Sequence, residues 1–176
     1  MKIRTCTFLA MTFLSSLLTA FGRSDPVRVG DPAPQISGIT ETGEKLNFAE
    51  VYQKHPYTLV YFYPKADTPG CTKQGCSLRD SYEALTKKGV AVIGVSHDDV
   101  AAQKAFKEKY HLPFTLIADE KSEVMNAFGV PHIAATSLAQ RQAYLIKGGQ
   151  VIWTDYHAAT DQQAADVLKV LDQQKS

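Results

Sequence analysis

The run from Tyr57 to Tyr63, YTLVYFY, holds no charged residue and stops at Pro64. A short apolar run rich in aromatic residues suits a strand buried on both faces, as in a parallel sheet. The segment after it, PKADTPGC, contains two prolines and a glycine and ends on Cys71. A helix is expected from about Cys71 to Lys87, with Gly89 as its left-handed stop. A buried strand, a stiff turn and a cysteine that opens a helix thus follow one another directly.

The rest of the chain alternates in the same manner. Val90 to Val95 reads as a second buried strand, and Phe114 to Ile117 as a third. Between them, Asp98 or Asp99 caps a helix from Val100 to Tyr110 that turns Phe106 inward. A short helix is expected near Ser122 to Phe128. Ala143 to Ile146 and Val151 to Thr154 flank Lys147-Gly148-Gly149-Gln150, a hairpin turn. Thr160 with Gln163 has capping-box spacing for a last helix through Leu171, with Ala164, Val167, Leu168 and Leu171 on its apolar face. Upstream, Arg23 to Pro34 reads as a surface lead-in. Gln35 to Thr40 and Glu44 to Phe48 read as short strands around Thr42-Gly43. A flavodoxin-like sheet also alternates strands and helices. The terminal hairpin favours an α/β thioredoxin-like fold, a central mixed β-sheet flanked by helices.

The first 22 residues differ from this pattern. Lys2 and Arg4 precede an uncharged stretch from Phe8 to Phe21, and Ala20-Phe21-Gly22 offers small residues at the minus-three and minus-one positions. These are the marks of a secretory signal peptide cleaved near Gly22. The stretch is short for a membrane span, which needs roughly 20 residues. The expected organisation is a signal peptide at 1–22 and one thioredoxin-like domain at 23–176. The mature protein is expected in the periplasm or cell envelope, with no stable membrane association after cleavage. Loss of Lys2 and Arg4 turns the net charge from +1 to −1. That balance gives no support for a nucleic-acid partner. Cleavage also removes Cys6 and leaves Cys71 and Cys76, an even count in an exported chain.

Position gives Cys71 its chemical interest. The first N–H groups of a helix have no internal partner, and the helix dipole is positive there. A thiolate at that point is stabilised, and the thiolate is the nucleophilic form. Thr68 lies three residues earlier, where its hydroxyl can donate to the sulfur or to a bound oxygen. Pro64 and Pro69 stiffen the turn and remove backbone donors. Taken singly, each residue has a plainer reading. Thr68 is then a helix cap, Pro64 a strand terminator, Arg141 a surface charge, and the cysteine pair a structural disulfide.

Together the residues resemble a known family. Pro64-x-x-x-Thr68-x-x-Cys71 matches the peroxiredoxin active-site motif, and YFYPKADTPGCTKQGCSLRD resembles the bacterioferritin-comigratory-protein (Q-type) subfamily. Ser96-x-Asp98, Phe106-x-x-Lys109-Tyr110-x-Leu112-Pro113-Phe114, Ala118-Asp119 and Arg141-x-x-Tyr144-Leu145-Ile146 are similar to strings such proteins carry. The resemblance implies that Cys71 is the peroxidatic cysteine and Cys76 the resolving cysteine. It implies that Thr68 and Arg141 polarise the peroxide and hold the thiolate, and that Pro64 shields the site. Gln74 stands where many relatives have Glu and others Gln, and the stretch from Gly129 to Gln140 is shorter than in many members. The implied activity is reduction of hydrogen peroxide and organic hydroperoxides. It needs no metal, haem or flavin cofactor, and its disulfide is reopened by a thioredoxin-like reductant. The expected state is a monomer or weak dimer.

Residues five apart on an ideal helix have Cα atoms roughly 8–9 Å apart. A disulfide rarely spans more than about 7 Å. A Cys71–Cys76 bond therefore requires the helix to unwind locally. Two other functions suit the fold. An exported copper carrier uses a tighter cysteine pair plus a histidine. A general thiol–disulfide oxidoreductase uses CxxC, whereas this chain has four residues between its cysteines. The five histidines, His55, His97, His111, His132 and His157, have no helical metal-ligand spacing. Arg79-Asp80 reads as a helix-surface or packing pair.

Overall fold

The computed structural model describes residues 25–174, so the signal-like segment at 1–22 lies outside the described residues. Among the described residues no helix is long and apolar enough to cross a membrane.

The buried run forms the central strand β3 (Tyr57–Phe62). It pairs in parallel with β4 (Val90–Ser96), which pairs in parallel with β5 (Thr115–Ala118). On its other side β3 pairs antiparallel with β6 (Gln142–Lys147), and β6 returns through Gly148 and Gly149 into β7 (Gln150–Asp155). Both glycines have positive φ, the conformation that a tight two-residue hairpin demands. β1 (Ser37–Thr40) and β2 (Lys45–Asn47) close the other edge, giving the order β2-β1-β5-β4-β3-β6-β7. The mixed sheet with its terminal antiparallel hairpin is the expected thioredoxin-like arrangement.

Side-chain alternation along β3 divides the core in two. Leu59 and Tyr61, followed by Tyr63, face α2 (Pro69–Asp80), α3 (Tyr82–Lys87), Phe106 of α4 (Val100–Tyr110), and α6 (Gln163–Gln173). Val60 and Phe62 face α1 (Phe48–Lys54) and α5 (Glu123–Phe128). The first face holds the chemistry. Gly94 stands opposite Tyr61 in the β3–β4 register, and a Cβ there would fall 2.7 Å from the Tyr61 hydroxyl. The absent side chain at 94 leaves room for the hydroxyl end of this large phenol.

Three local expectations need correction, and one open alternative is resolved. The second short strand stops at Asn47, because the Asn47 side chain accepts from Ala49 N–H at 3.0 Å and starts α1, so Phe48 is helical. The helix expected over 71–87 begins earlier, with Pro69 in its first turn, and divides at Ser81 into α2 and α3. Of the two cap candidates for α4, Asp99 takes the role, accepting from Ala102 N–H at 2.7 Å. The Thr160–Gln163 box does not form: α6 starts at Gln163 with Gln162 at its cap and no side-chain cap bond. The Gln163 side chain is engaged elsewhere, with Gln74.

Candidate active site

Cys71 sits in the first turn of α2, 2% exposed, in the cluster that includes Tyr61 and Tyr63. Those two rings stack at 5.5 Å between centroids. Burial pushes both phenols well above their ordinary pKa, so the floor under Cys71 stays uncharged. The cysteine therefore has apolar rings on one side and the N-terminal backbone of a helix around it.

The turn before the helix is pinned from several directions. Ala66 N–H donates to Asp98 Oδ2 at 2.7 Å, which is the use the chain makes of the aspartate that does not cap α4. Asp67 adopts a left-handed φ of 57°, a conformation that Asp tolerates better than most residues. Its carboxylate receives Lys109 Nζ at 2.7 and 2.9 Å and the Tyr110 hydroxyl at 2.6 Å. The turn is thus tied to the end of α4. Arg79 reinforces the same junction, donating to the Tyr110 carbonyl at 2.8 Å while pairing with Asp80 at 2.8 Å. The packing role read from the sequence for Arg79-Asp80 is the one observed.

Thr68 begins the helix with its backbone, accepting from Thr72 N–H at 2.8 Å. Its hydroxyl donates to the Lys65 carbonyl at 3.0 Å. A hydroxyl has one hydrogen, so in this state Thr68 does not donate to Cys71 as the sequence suggested. It makes no side-chain cap bond either.

Arg141 immediately precedes β6, the neighbouring strand, and lies on the same face of the sheet as Cys71. The β3–β6 register sets Phe62 opposite Gln142, which puts Arg141 level with the point where β3 runs into Pro64. Its Nη2 lies 3.4 Å from Cys71 Sγ, and its Nη1 donates to Gln74 Oε1. Gly70 lies against the guanidinium: a Cβ at that position would stand in ordinary van der Waals contact with Nη2, at 3.4 Å. Gln74 is fully buried and donates in turn to Gln163 Oε1 at 2.9 Å.

Outside Cys71, a shallow cleft of about 310 Å³ is lined by Pro64, Arg141, Ile133, Tyr156 and His157 among others. Pro64 forms part of its wall. Ile133, Tyr156 and His157 carry no local signal in the sequence, because they come from loops and a strand end whose approach only the fold defines. A larger groove of about 780 Å³ beside β1 and α5 lies away from both cysteines and contains neither.

Cys76 is half-buried, and both cysteines are free within one unbroken helix. Among the described residues no group of three His, Cys, Asp or Glu side chains is placed to hold a metal ion.

A mixed sheet closed by a terminal hairpin, with a buried cysteine at the start of the helix after the central strand, defines a thioredoxin-like thiol protein. The AhpC/TSA family model matches residues 29–154. The chain is 48% identical over 131 residues to the chloroplastic peroxiredoxin Q of Suaeda salsa, covering 74% of this chain and 60% of that one. It is 40% identical over 147 residues to the rice (Oryza sativa subsp. japonica) chloroplastic peroxiredoxin Q, covering 82% and 67%. It thus spans about two thirds or less of these relatives' own lengths. Among solved structures, the peroxidoxin BcpB of Mycobacterium tuberculosis superposes with a TM-score of 0.78 at 26% identity, over 84% of this chain and 98% of that one. The chain belongs to the AhpC/TSA family and, within it, to the peroxiredoxins of the Q or Bcp kind, which makes it a thiol peroxidase.

Hydrogen bonds from Lys109, and next from Tyr110, hold the Asp67 carboxyl below the usual aspartate range. A depressed folded-state pKa contributes order that is complete above about pH 4 and is lost as the pH falls through the lowered value. Protection factors of the amides at residues 65–68, measured by hydrogen exchange, are therefore expected to fall in acid. Asp67→Asn is expected to lower them at neutral pH and to remove the acid dependence. Acid-insensitive protection in the wild type counts against this anchoring.

Proposed function

We propose that Cys71 is the peroxidatic residue of a two-cysteine cycle. The Cys71 thiolate attacks the terminal oxygen of a hydroperoxide, an S–O bond forms, the O–O bond breaks, and water or an alcohol leaves after gaining a proton. Cys71 is oxidised to a sulfenic acid while the peroxide is reduced. The Cys76 thiolate then attacks the sulfenic sulfur, water leaves, and a disulfide forms. A thioredoxin-like dithiol returns both cysteines to thiols by exchange.

The observation that carries this reading is the Arg141 Nη2 at 3.4 Å from Cys71 Sγ in a nearly dry pocket. A fixed cation there stabilises the negative charge that develops on the departing oxygen. Thr68 enters by rotating its hydroxyl from the Lys65 carbonyl onto the bound peroxide. Pro64 narrows the cleft around the reacting atoms. Ile133 and Tyr156 at its rim give an alkyl group apolar surface, in keeping with organic hydroperoxides beside hydrogen peroxide as substrates.

Export to the periplasm or cell envelope belongs to the same reading, supported by the basic start and the uncharged stretch from Phe8 to Phe21. N-terminal sequencing of envelope-fraction protein is expected to begin at Arg23, and intact Met1 there would refute processing.

The cycle itself is tested by peroxide consumption with mass spectrometry of the thiols. Cys71→Ser is expected to be inactive. Cys76→Ser is expected to form the sulfenic acid but no internal disulfide. A fully active Cys71→Ser would remove the reading. In the wild type, oxidation is expected to abolish amide protection around residues 71–78, and identical exchange in the two redox states would show that no unwinding accompanies the disulfide.

A further inference from the structure

Gln74 must face Arg141 with its amide oxygen, because a guanidinium donates hydrogen bonds and accepts none. Its Nε2 group then points the other way, into a region where Gln74 itself is 0% exposed. A donor there needs an acceptor, and Gln163 Oε1 supplies it at 2.9 Å. Gln163, also 0% exposed, has no hydrogen-bond partner for its own Nε2. An unpaired buried donor is costly, and an apolar residue of similar length would avoid that cost. Packing alone therefore does not account for a glutamine at 163, whereas the acceptor oxygen does.

We infer that Gln163 is a positioning residue for the cysteine centre: its side-chain oxygen fixes the orientation of the Gln74 amide, and Gln74 in turn holds Arg141 on Cys71. This inference rests on the thiol-peroxidase reading of that site. Without an acceptor at 163, the Gln74 amide is free to flip and turn its NH₂ toward the guanidinium, which repels it. Arg141 then loses the contact that aims Nη2 at the sulfur. The start of α6 is well suited to serve as a fixed reference. Lys73 pairs with Asp161 at 2.7 Å, and Ser77 Oγ donates to the Asp161 carbonyl at 3.3 Å. Both contacts fasten the segment before Gln163 to the helix that bears Cys71. Gln163 touches neither sulfur nor substrate, so its effect passes entirely through Gln74.

The test is the single-turnover rate constant for Cys71 oxidation by hydrogen peroxide in the full-length reduced protein. Gln163→Met, which keeps length but loses the acceptor, is expected to lower it about tenfold, less than the roughly hundredfold that a 1 Å misplacement of a reacting group can bring. Gln163→Glu restores an acceptor and is expected to recover most of the rate. In a Gln74→Met background, Gln163→Met is expected to change the rate by less than about twofold, because the two side chains act as one unit. A folded Gln163→Met with the wild-type rate overturns the inference. So does a folded Gln163→Glu as slow as Gln163→Met, and so do fully additive losses, which mark a merely structural role. If Gln163→Met fails to fold, the wild type decides. Its Gln74 side-chain amide protons are expected to exchange at least about tenfold more slowly than those of exposed Gln173. Equal exchange overturns the inference. A wild type that does not oxidise Cys71 at all instead refutes the peroxidase reading, and the relay with it.

Discussion

One guanidinium set against one sulfur organises this molecule. Arg141 and Cys71 are far apart in sequence, come from different elements, and meet because β6 pairs antiparallel with β3. The strand register decides the meeting. A one-residue slip of β6 would move every inward side chain to the other face and carry Arg141 away from the helix start. Gly94 makes room for Tyr61, one of the two stacked rings beside Cys71.

The surroundings of that contact are mostly devoted to holding it still. On one side, Asp67, Lys109, Tyr110 and Arg79 bind the turn and α2 to the end of α4. On the other, Gln74 and Gln163 lead from the guanidinium to α6. Yet the same helix bears the second cysteine, and Gln74 lies between the two. Any unwinding that joins Cys71 to Cys76 must also displace Gln74. A site held by α2 and a disulfide formed across α2 cannot coexist, so the proposed cycle alternates between two local structures.

Much of this was legible in the sequence, for identifiable reasons. The apolar run of β3, the proline-rich turn and the glycine hairpin are local signals, and each produced the element it implied. The capping signals were less decisive, because a polar side chain near a helix start has other possible partners. Asn47 both ends β2 and caps α1, and Gln163 has a cap's spacing but serves Gln74. Asp98 and Asp99 are adjacent and alike, yet one caps α4 and the other holds the active-site turn. Thr68 stands at the start of α2, and its hydroxyl bonds the Lys65 carbonyl in this state. The cleft residues Ile133, Tyr156 and His157 had no local signature, since only tertiary packing brings them to Pro64 and Arg141.

If a fixed cation at the sulfur is what makes this thiol reactive toward peroxides, neutralising it must slow the first chemical step. The most direct measurement is the second-order rate constant of Cys71 oxidation by hydrogen peroxide in Arg141→Gln, with the free-thiol content checked beforehand. A fall of about a hundredfold is predicted, the scale of losing one preorganised charge-stabilising donor. A folded Arg141→Gln protein that reacts within about twofold of the wild-type rate would contradict the account.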